Sequence, residues 1–568
     1  MNELRDRWRS RATFVVAAIG SAVGLGNLWR FPFVAYEHGG GAFLIPYFVA
    51  LVTTGIPLMI LEYGLGVRLQ GSAPKALAKI SPRWEFVGWW ALIVGMIICM
   101  YYVVIMGISA DYFIDSFSSK MPWGDTANSA QTYLNKEILK VSEGPLQLDG
   151  LVPGILICSL VTWVMMFLIV VKGVDRVGKV VKYTVPTPYI LLVILIIRGV
   201  TLKGSAEGLN YFFSPQWSAL LDPSTWLAAY GQVFFSLSLG FGIMTAYASY
   251  LSRDSDINNN SFITCFADTA TSYLAGFAIF SFLGYFAVAT NSDIASVVKG
   301  GPTLAFVIYP AAISKLADIA GWMPPFFSVV FFLMLFVLGI DSAFSIVEAF
   351  SSGLEDKFKW SKLRIVTILS VIGAAGSVWF CTKAGIYWLD ITDHFISDCY
   401  GLVLIGILEA FAVGWFWKVK KFREEINSVS EIRVGRWWDV CVKFVTPAVL
   451  IWLLVAMSID KFKEPRIEVD YKCAVCNAEK HIVWRLKDDP EKKNLPKATV
   501  ICENCSKEGQ EVFMNKKEER KYNSYVVDYS WLPVILGGWL VVISAFVIAV
   551  ILTALKPRNP NWLAEEGK

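Results

Sequence analysis

Apolar runs of about 20 residues or more recur along this chain, divided by shorter polar stretches. A run of that length crosses the hydrocarbon of a bilayer as a helix. Twelve spans are expected, at 13–36, 42–67, 86–117, 151–172, 180–201, 224–250, 259–289, 324–353, 363–384, 394–418, 439–459 and 528–555. The expected fold class is therefore an all-α membrane protein. One polar stretch, 460–527, is far longer than the others. It divides the chain into a core at 1–459, an insertion at 460–527, and a last helix with a tail at 528–568.

Two spans break the helical pattern. Span 1 carries Gly20-Ser-Ala-Val-Gly-Leu-Gly-Asn-Leu-Trp-Arg30-Phe-Pro. Glycine and proline weaken a helix, and arginine at membrane depth costs about 3 kcal/mol or more. Irregular backbone persists there only where it is buried in protein or lines a cavity. A break is thus expected near Ala22–Leu25, freeing carbonyls for a cation and N–H groups for a carboxylate. A glycine-packed helix interface would explain the glycines. It leaves Asn27 and Arg30 without a role. Span 6 carries Phe234-Phe-Ser-Leu-Ser-Leu-Gly-Phe-Gly242, with small and polar residues mid-membrane. Alone it could be a Ser/Gly packing seam. Spans 1 and 6 are each first in a block of five. That pairing points to two inverted five-helix repeats with a binding site at the midplane.

Other polar residues fall inside spans: Tyr102, Gln232, Asp268 and Asp341-Ser342. A membrane carboxylate marks a functional site by default. No lysine lies at similar depth, so a cation is the expected partner, and hard oxygen ligands suit Na⁺ or H⁺. For each carboxylate, protonation or a hydrogen bond is the alternative means of neutralisation.

Lysine and arginine cluster before span 1 and between spans 2 and 3, 4 and 5, 8 and 9, and after span 10. The positive-inside rule then places both termini in the cytoplasm of a multi-pass plasma-membrane protein. Loops 118–150, 202–223 and 290–323 face the other side, and the last is expected to fold back as a short helical hairpin over an entrance. The first apolar run is too long for a cleavable signal peptide. The net charge of +4 sums two aqueous faces and says little. Cys99, Cys158, Cys265, Cys381, Cys399 and Cys441 lie in apolar segments and read as packing residues. The three histidines form no catalytic constellation, and no phosphate loop is present, so an enzyme is not expected. Nothing marks a nucleic-acid partner, and nothing assigns an oligomeric state.

The insertion carries Cys473-Ala-Val-Cys476 and Cys502-Glu-Asn-Cys505. Paired Cys-x-x-Cys knuckles read as a closed structural Zn²⁺ site that would stabilise a segment too small for its own core. The expected location is extracytoplasmic, where thiols oxidise. Two disulfides are therefore the rival reading, and a redox centre a third.

The motifs together resemble the neurotransmitter:sodium symporters over nearly the whole chain. They are GSAVGLGNLWRFP at 20–32, HGGGAFLIPY at 38–47, GIPLMILEYGLG at 55–66, GQVFFSLSLGFG at 231–242 and LGIDSAF at 338–344. The resemblance implies a first sodium site from Ala22, Asn27, Ser236 and Asp268. It implies a second from Gly20, Val23, Leu338, Asp341 and Ser342. A substrate carboxylate would meet the N–H groups near Leu25 and Gly26 and the hydroxyl of Tyr102. Its ammonium would face carbonyls of Ala22, Phe235 and Ser236. Its side chain would meet the Val23-side backbone, Ile98, Tyr102, Phe235, Ser238, Phe241, Ser342 and Ile346. Arg30 with Asp393, or with Asp398, would form an outer gate. Arg5 and Asp356 would form an inner gate, with Trp8 nearby. Chloride-dependent members hold the anion with residues matching Tyr47, Gln232, Ser236 and Ser272. Here their asparagine is Asp268, which implies chloride-independent transport and a proton carried on the return step. The monoamine members' aspartate is Gly24 here. The implied function is sodium-coupled symport of a small neutral, apolar L-amino acid by alternating access. The alternative is a non-transporting receptor for the same ligand.

Overall fold

The structure, a computed structural model, describes residues 7–118, 120–298, 300–462, 466–473, 479–485, 514–522, 531–559 and 562–563. Ten helices among these are long and apolar enough to cross a membrane, and an eleventh arises if Arg11–Ala22 and Gly26–Glu37 count as one bent span. The remaining expected span, 224–250, is in two pieces. Pro223–Ser236 has 14 residues and Ile243–Ala248 has 6, so neither crosses alone. Span 10 also differs from expectation. Its helix begins at Gly385 rather than 394, because Ile386, Trp388, Leu389 and Ile391 continue the helical apolar spacing. Asp393 therefore lies within the helix, not at its start.

Two long helices, Glu85–Asp115 and Met323–Phe358, run through the centre and are buried over most of their length. Met323–Phe358 has 36 residues. At 1.5 Å per residue it is roughly 54 Å long, well beyond a 30 Å hydrocarbon layer. Its far end carries Lys357, fully buried, whose Nζ lies 2.6 Å from Glu85 Oε1 and 2.5 Å from the Leu552 carbonyl. A buried ammonium is tolerated only when paired this way. Here it also satisfies the C-terminal end of the last helix. Peripheral helices such as Pro153–Val170 and Trp531–Ala554 expose most of their apolar surface, as a lipid-facing helix must.

Small residues allow the closest helix contacts. A Cβ on Gly208 would stand 2.0 Å from the Phe280 carbonyl oxygen, and one on Gly284 would stand 2.2 Å from that of Gly204. These are small-residue contacts in which backbones approach directly. The 290–323 loop is helical from Gly301 to Asp318. Tyr112 donates to its Phe306 carbonyl at 2.9 Å, and Lys315 pairs with Asp125 at 2.6 Å. The Lys315 ammonium holds the Asp125 carboxyl below the usual carboxylate range.

Among the described residues, the insertion contains strands. Strands β1 (Arg466–Cys473), β2 (Glu479–Arg485) and β3 (Met514–Tyr522) form an antiparallel sheet in the order β2-β1-β3. The expected all-α class therefore does not hold for the described residues of the insertion. The signal was the alternation of Arg466, Glu468 and Asp470 with Ile467, Val469 and Tyr471, a period of two. Cys473 ends β1, paired with Met514. Its side chain, and Cys476, Cys502 and Cys505, lie outside the described residues.

Candidate functional site

Both expected breaks are present, and they face each other. Helix Arg11–Ala22 ends at Val23, whose N–H still reaches the Ile19 carbonyl at 2.7 Å. The chain resumes as a helix at Gly26, bent by 52°. In span 6, Ser238, Gly240 and Gly242 have φ of 52°, 77° and 71°. Glycine adopts such left-handed backbone without steric cost, so two of the three positions account for the break. Ser238 bears the cost there. Its hydroxyl donates to the Ser21 carbonyl at 3.0 Å, tying one break to the other. Gly240 N–H donates to Glu62 Oε1 at 2.9 Å. Without that acceptor a buried N–H would be unsatisfied, at about 1–3 kcal/mol. Sequence reading gave Glu62 no role, although a carboxylate mid-span was itself the signal.

Between the breaks lies a cavity of about 140 Å³. Every residue expected to bind substrate lines it: Ala22, Leu25, Gly26, Ile98, Tyr102, Phe235, Ser236, Ser238, Phe241, Ser342 and Ile346. A Cβ on Gly26 would meet nothing within 4 Å, and Leu25 N–H points to Tyr102 Oη at 3.4 Å. The lining therefore combines polar backbone and phenol with the apolar Ile98, Phe241 and Ile346. Such a combination binds an amphiphilic small molecule. A larger crevice of about 750 Å³ lies between Met96, Leu369, Trp379 and Val541. It brings no convergent polar groups together and is not the candidate site.

Beside the cavity sits a buried oxygen cluster. Asn27 Nδ2 lies 2.7 Å from Asp268 Oδ1, 2.9 Å from Ser236 Oγ and 2.9 Å from Ser272 Oγ. Ser236 Oγ donates to the Asp268 carboxylate at 2.8 Å. Asp268 has no exposed surface. A second group lies where spans 1 and 8 meet. Ser342 Oγ donates to the Ser21 carbonyl at 3.2 Å, and Asp341 Oδ2 would be 3.2 Å from a Cβ on Gly20. Leu338 borders a crevice with Asn27 and Leu28. The structure thus separates two carboxylates, each near one side of the span 1 break.

The sequence model of the sodium:neurotransmitter symporter family matches residues 5–134 and 124–487. The chain belongs to this family. It is 40% identical over 447 residues to an uncharacterised sodium-dependent transporter of Methanocaldococcus jannaschii, covering 78% of this chain and 89% of that one. It is 33% identical over 477 residues to the sodium- and chloride-dependent GABA transporter 2 of Bos taurus and to that of Homo sapiens, covering 78% of both chains in each case. The protein is therefore a sodium-dependent multi-pass membrane transporter of the neurotransmitter symporter family, and not an enzyme.

Of the remaining expected residues, Arg30, Asp393, Asp356 and Trp8 are among those described. Arg30 borders the cavity, its guanidinium 4.7 Å from the Phe235 ring centroid. Such stacking over an aromatic face is attractive. Tyr101 donates to Asp393 Oδ1 at 2.5 Å. The Asp398 side chain lies outside the described residues, as does Arg5. Asp356 accepts Ser72 N–H at 2.8 Å, with Lys75 Nζ at 3.9 Å. Trp8 is buried and donates to the Tyr247 carbonyl at 2.8 Å. Among the described residues no group of three or more His, Cys, Asp or Glu is placed to hold a metal ion.

Proposed function

We propose that this transporter couples sodium to the uptake of a small neutral, apolar L-amino acid by alternating access. The observation that carries the reading is the cavity itself. Its lining combines Leu25, Gly26 and the Tyr102 hydroxyl, to which the Leu25 N–H points, with the apolar Ile98, Phe241 and Ile346, and no acidic side chain lines it among the described residues. A carboxylate suits the first set and an apolar side chain the second. In this reading Ala22, Asn27, Ser236 and Asp268 hold one sodium. Gly20, Val23, Leu338, Asp341 and Ser342 hold a second. The two broken spans belong to inverted repeats, with both termini cytoplasmic in a plasma membrane. Arg30 with Asp393 closes the outer side and Arg5 with Asp356 the inner. Paired gates favour transport over a receptor that binds without moving its ligand.

The test is uptake into proteoliposomes under an inward sodium gradient, against a panel of amino acids, ω-amino acids and amines. Accumulation of neutral α-amino acids that collapses without the gradient is expected. Accumulation of GABA alone would replace the substrate assignment, and saturable binding with no uptake would favour the receptor.

A structural Zn²⁺ on Cys473, Cys476, Cys502 and Cys505 is proposed from the knuckle spacing. Elemental analysis of purified protein should give about one zinc per chain, lost in Cys473→Ser. Protein with no zinc and no free thiols in this segment would assign disulfides.

A further inference from the structure

Thr184 joins the second carboxylate to a third element. It ends the helix Val174–Thr184, and a new helix starts at Pro186. Its hydroxyl donates to Asp341 Oδ1 at 2.6 Å. A threonine inside a helix ordinarily turns its hydroxyl back to the carbonyl four residues earlier. Here that carbonyl, Val180, is 3.3 Å away. The shorter contact, to a buried carboxylate, has the length of a charge-assisted bond.

The other carboxylate oxygen faces elsewhere. Asp341 Oδ2 lies beside Gly20, on the last turn before the span 1 break. A Cβ there would lie 3.2 Å from Oδ2 and 2.5 Å from Val185 Cγ2. Spans 1, 5 and 8 thus converge at one point, with the carboxylate shared between them. The terminal torsion of an aspartate is broad and roughly two-fold. An unanchored carboxylate would present either oxygen, at varying angles, to a cation. A donor fixed on one oxygen leaves the other aimed at the span 1 backbone.

We infer that Thr184 is a positioning residue for cation binding at Asp341. It anchors Oδ1 so that Oδ2 faces the backbone of Gly20, and it links occupancy of that site to span 5. The inference rests on Asp341 being a sodium ligand, as proposed above.

The experiment is a sodium titration of purified full-length protein without substrate, read as thermal stabilisation, with N-methylglucamine as the replacement cation. Sodium dependence of uptake in proteoliposomes is measured in parallel. Thr184→Val keeps the shape and removes the donor. It should raise the sodium concentration for half-maximal effect about tenfold, with maximal uptake at saturating sodium little changed. Thr184→Ser should titrate like the parent and Thr184→Ala like valine. That pair isolates the hydroxyl even if the valine variant does not fold. Asp341→Asn should lose the response of this site. A parental titration for Thr184→Val or Thr184→Ala, with Asp341→Asn impaired, overturns the inference and leaves the Asp341 assignment standing. A shift in Thr184→Ser equal to that in alanine assigns the effect to packing and overturns it too. A parental titration for Asp341→Asn removes the sodium assignment, and the inference with it.

Discussion

Asp268→Asn is expected to cut sodium-driven uptake at least a hundredfold in chloride-free medium, and chloride should restore part of it. Asp268 is completely buried, and its hydrogen-bond partners are the neutral Asn27 and Ser236. A charge in that position is tolerated when a cation sits beside it. Two unit charges 4 Å apart attract by about 4 kcal/mol at an effective dielectric constant of 20. At about 1.4 kcal/mol per factor of ten, the full term is near a thousandfold in sodium affinity. Asparagine keeps the volume and an acceptor oxygen, so the charge is what the substitution tests. The mammalian relatives described as sodium- and chloride-dependent suggest how a missing charge can be supplied. The unmodified protein should run at full rate with gluconate in place of chloride. Uptake by wild type that falls by most of its value in gluconate would refute the assignment. So would an asparagine variant indifferent to chloride and as active as the parent.

Gly24→Asp is expected to abolish amino-acid binding and to admit simple amines instead. A Cβ at Gly24 would lie 3.2 Å from Ser342 Oγ and 3.3 Å from Tyr102 Oη. An aspartate side chain there enters the cavity beside the Leu25 N–H. It would place a negative charge against the substrate carboxylate, with a repulsion of about 4 kcal/mol on the same scale. Affinity should fall by about a thousandfold. The contacts at Cβ are tight, so part of any loss is steric. Gly24→Asn has nearly the same size without the charge and separates the two effects. Competition binding with an amino acid and its decarboxylated amine on all three proteins is the measurement. Equal losses in the aspartate and asparagine variants, with no gain for the amine, would show that no carboxylate binds there.

Much of this site was legible in the chain because broken membrane helices leave a distinctive residue pattern. Glycine clusters with Asn27, Arg30 and Ser236 inside apolar runs conflict with an uninterrupted span, and the structure breaks the chain at those places. Two features were less legible. The start of the tenth span was misplaced because Asp390 and Asp393 interrupt the apolar run without interrupting its helical spacing. The strand pattern of Arg466–Cys473, alternating polar and apolar residues, is present in the chain, but its partners β2 and β3 lie apart in sequence.

The sequence by itself determined which segments enter the bilayer, where two of them come apart, and which side chains carry charge to that depth. Those are properties of local composition against a fixed apolar solvent. Only the tertiary structure decided the partners. Asn27 meets Asp268 across 241 positions, Ser238 meets Ser21 across 217, and Asp341 takes the Thr184 hydroxyl while its other oxygen lies beside Gly20. Hydrogen bonds at 2.6–3.0 Å depend on how helices cross and rotate against one another. That geometry is set by packing over the whole bundle, and no single stretch of chain contains it.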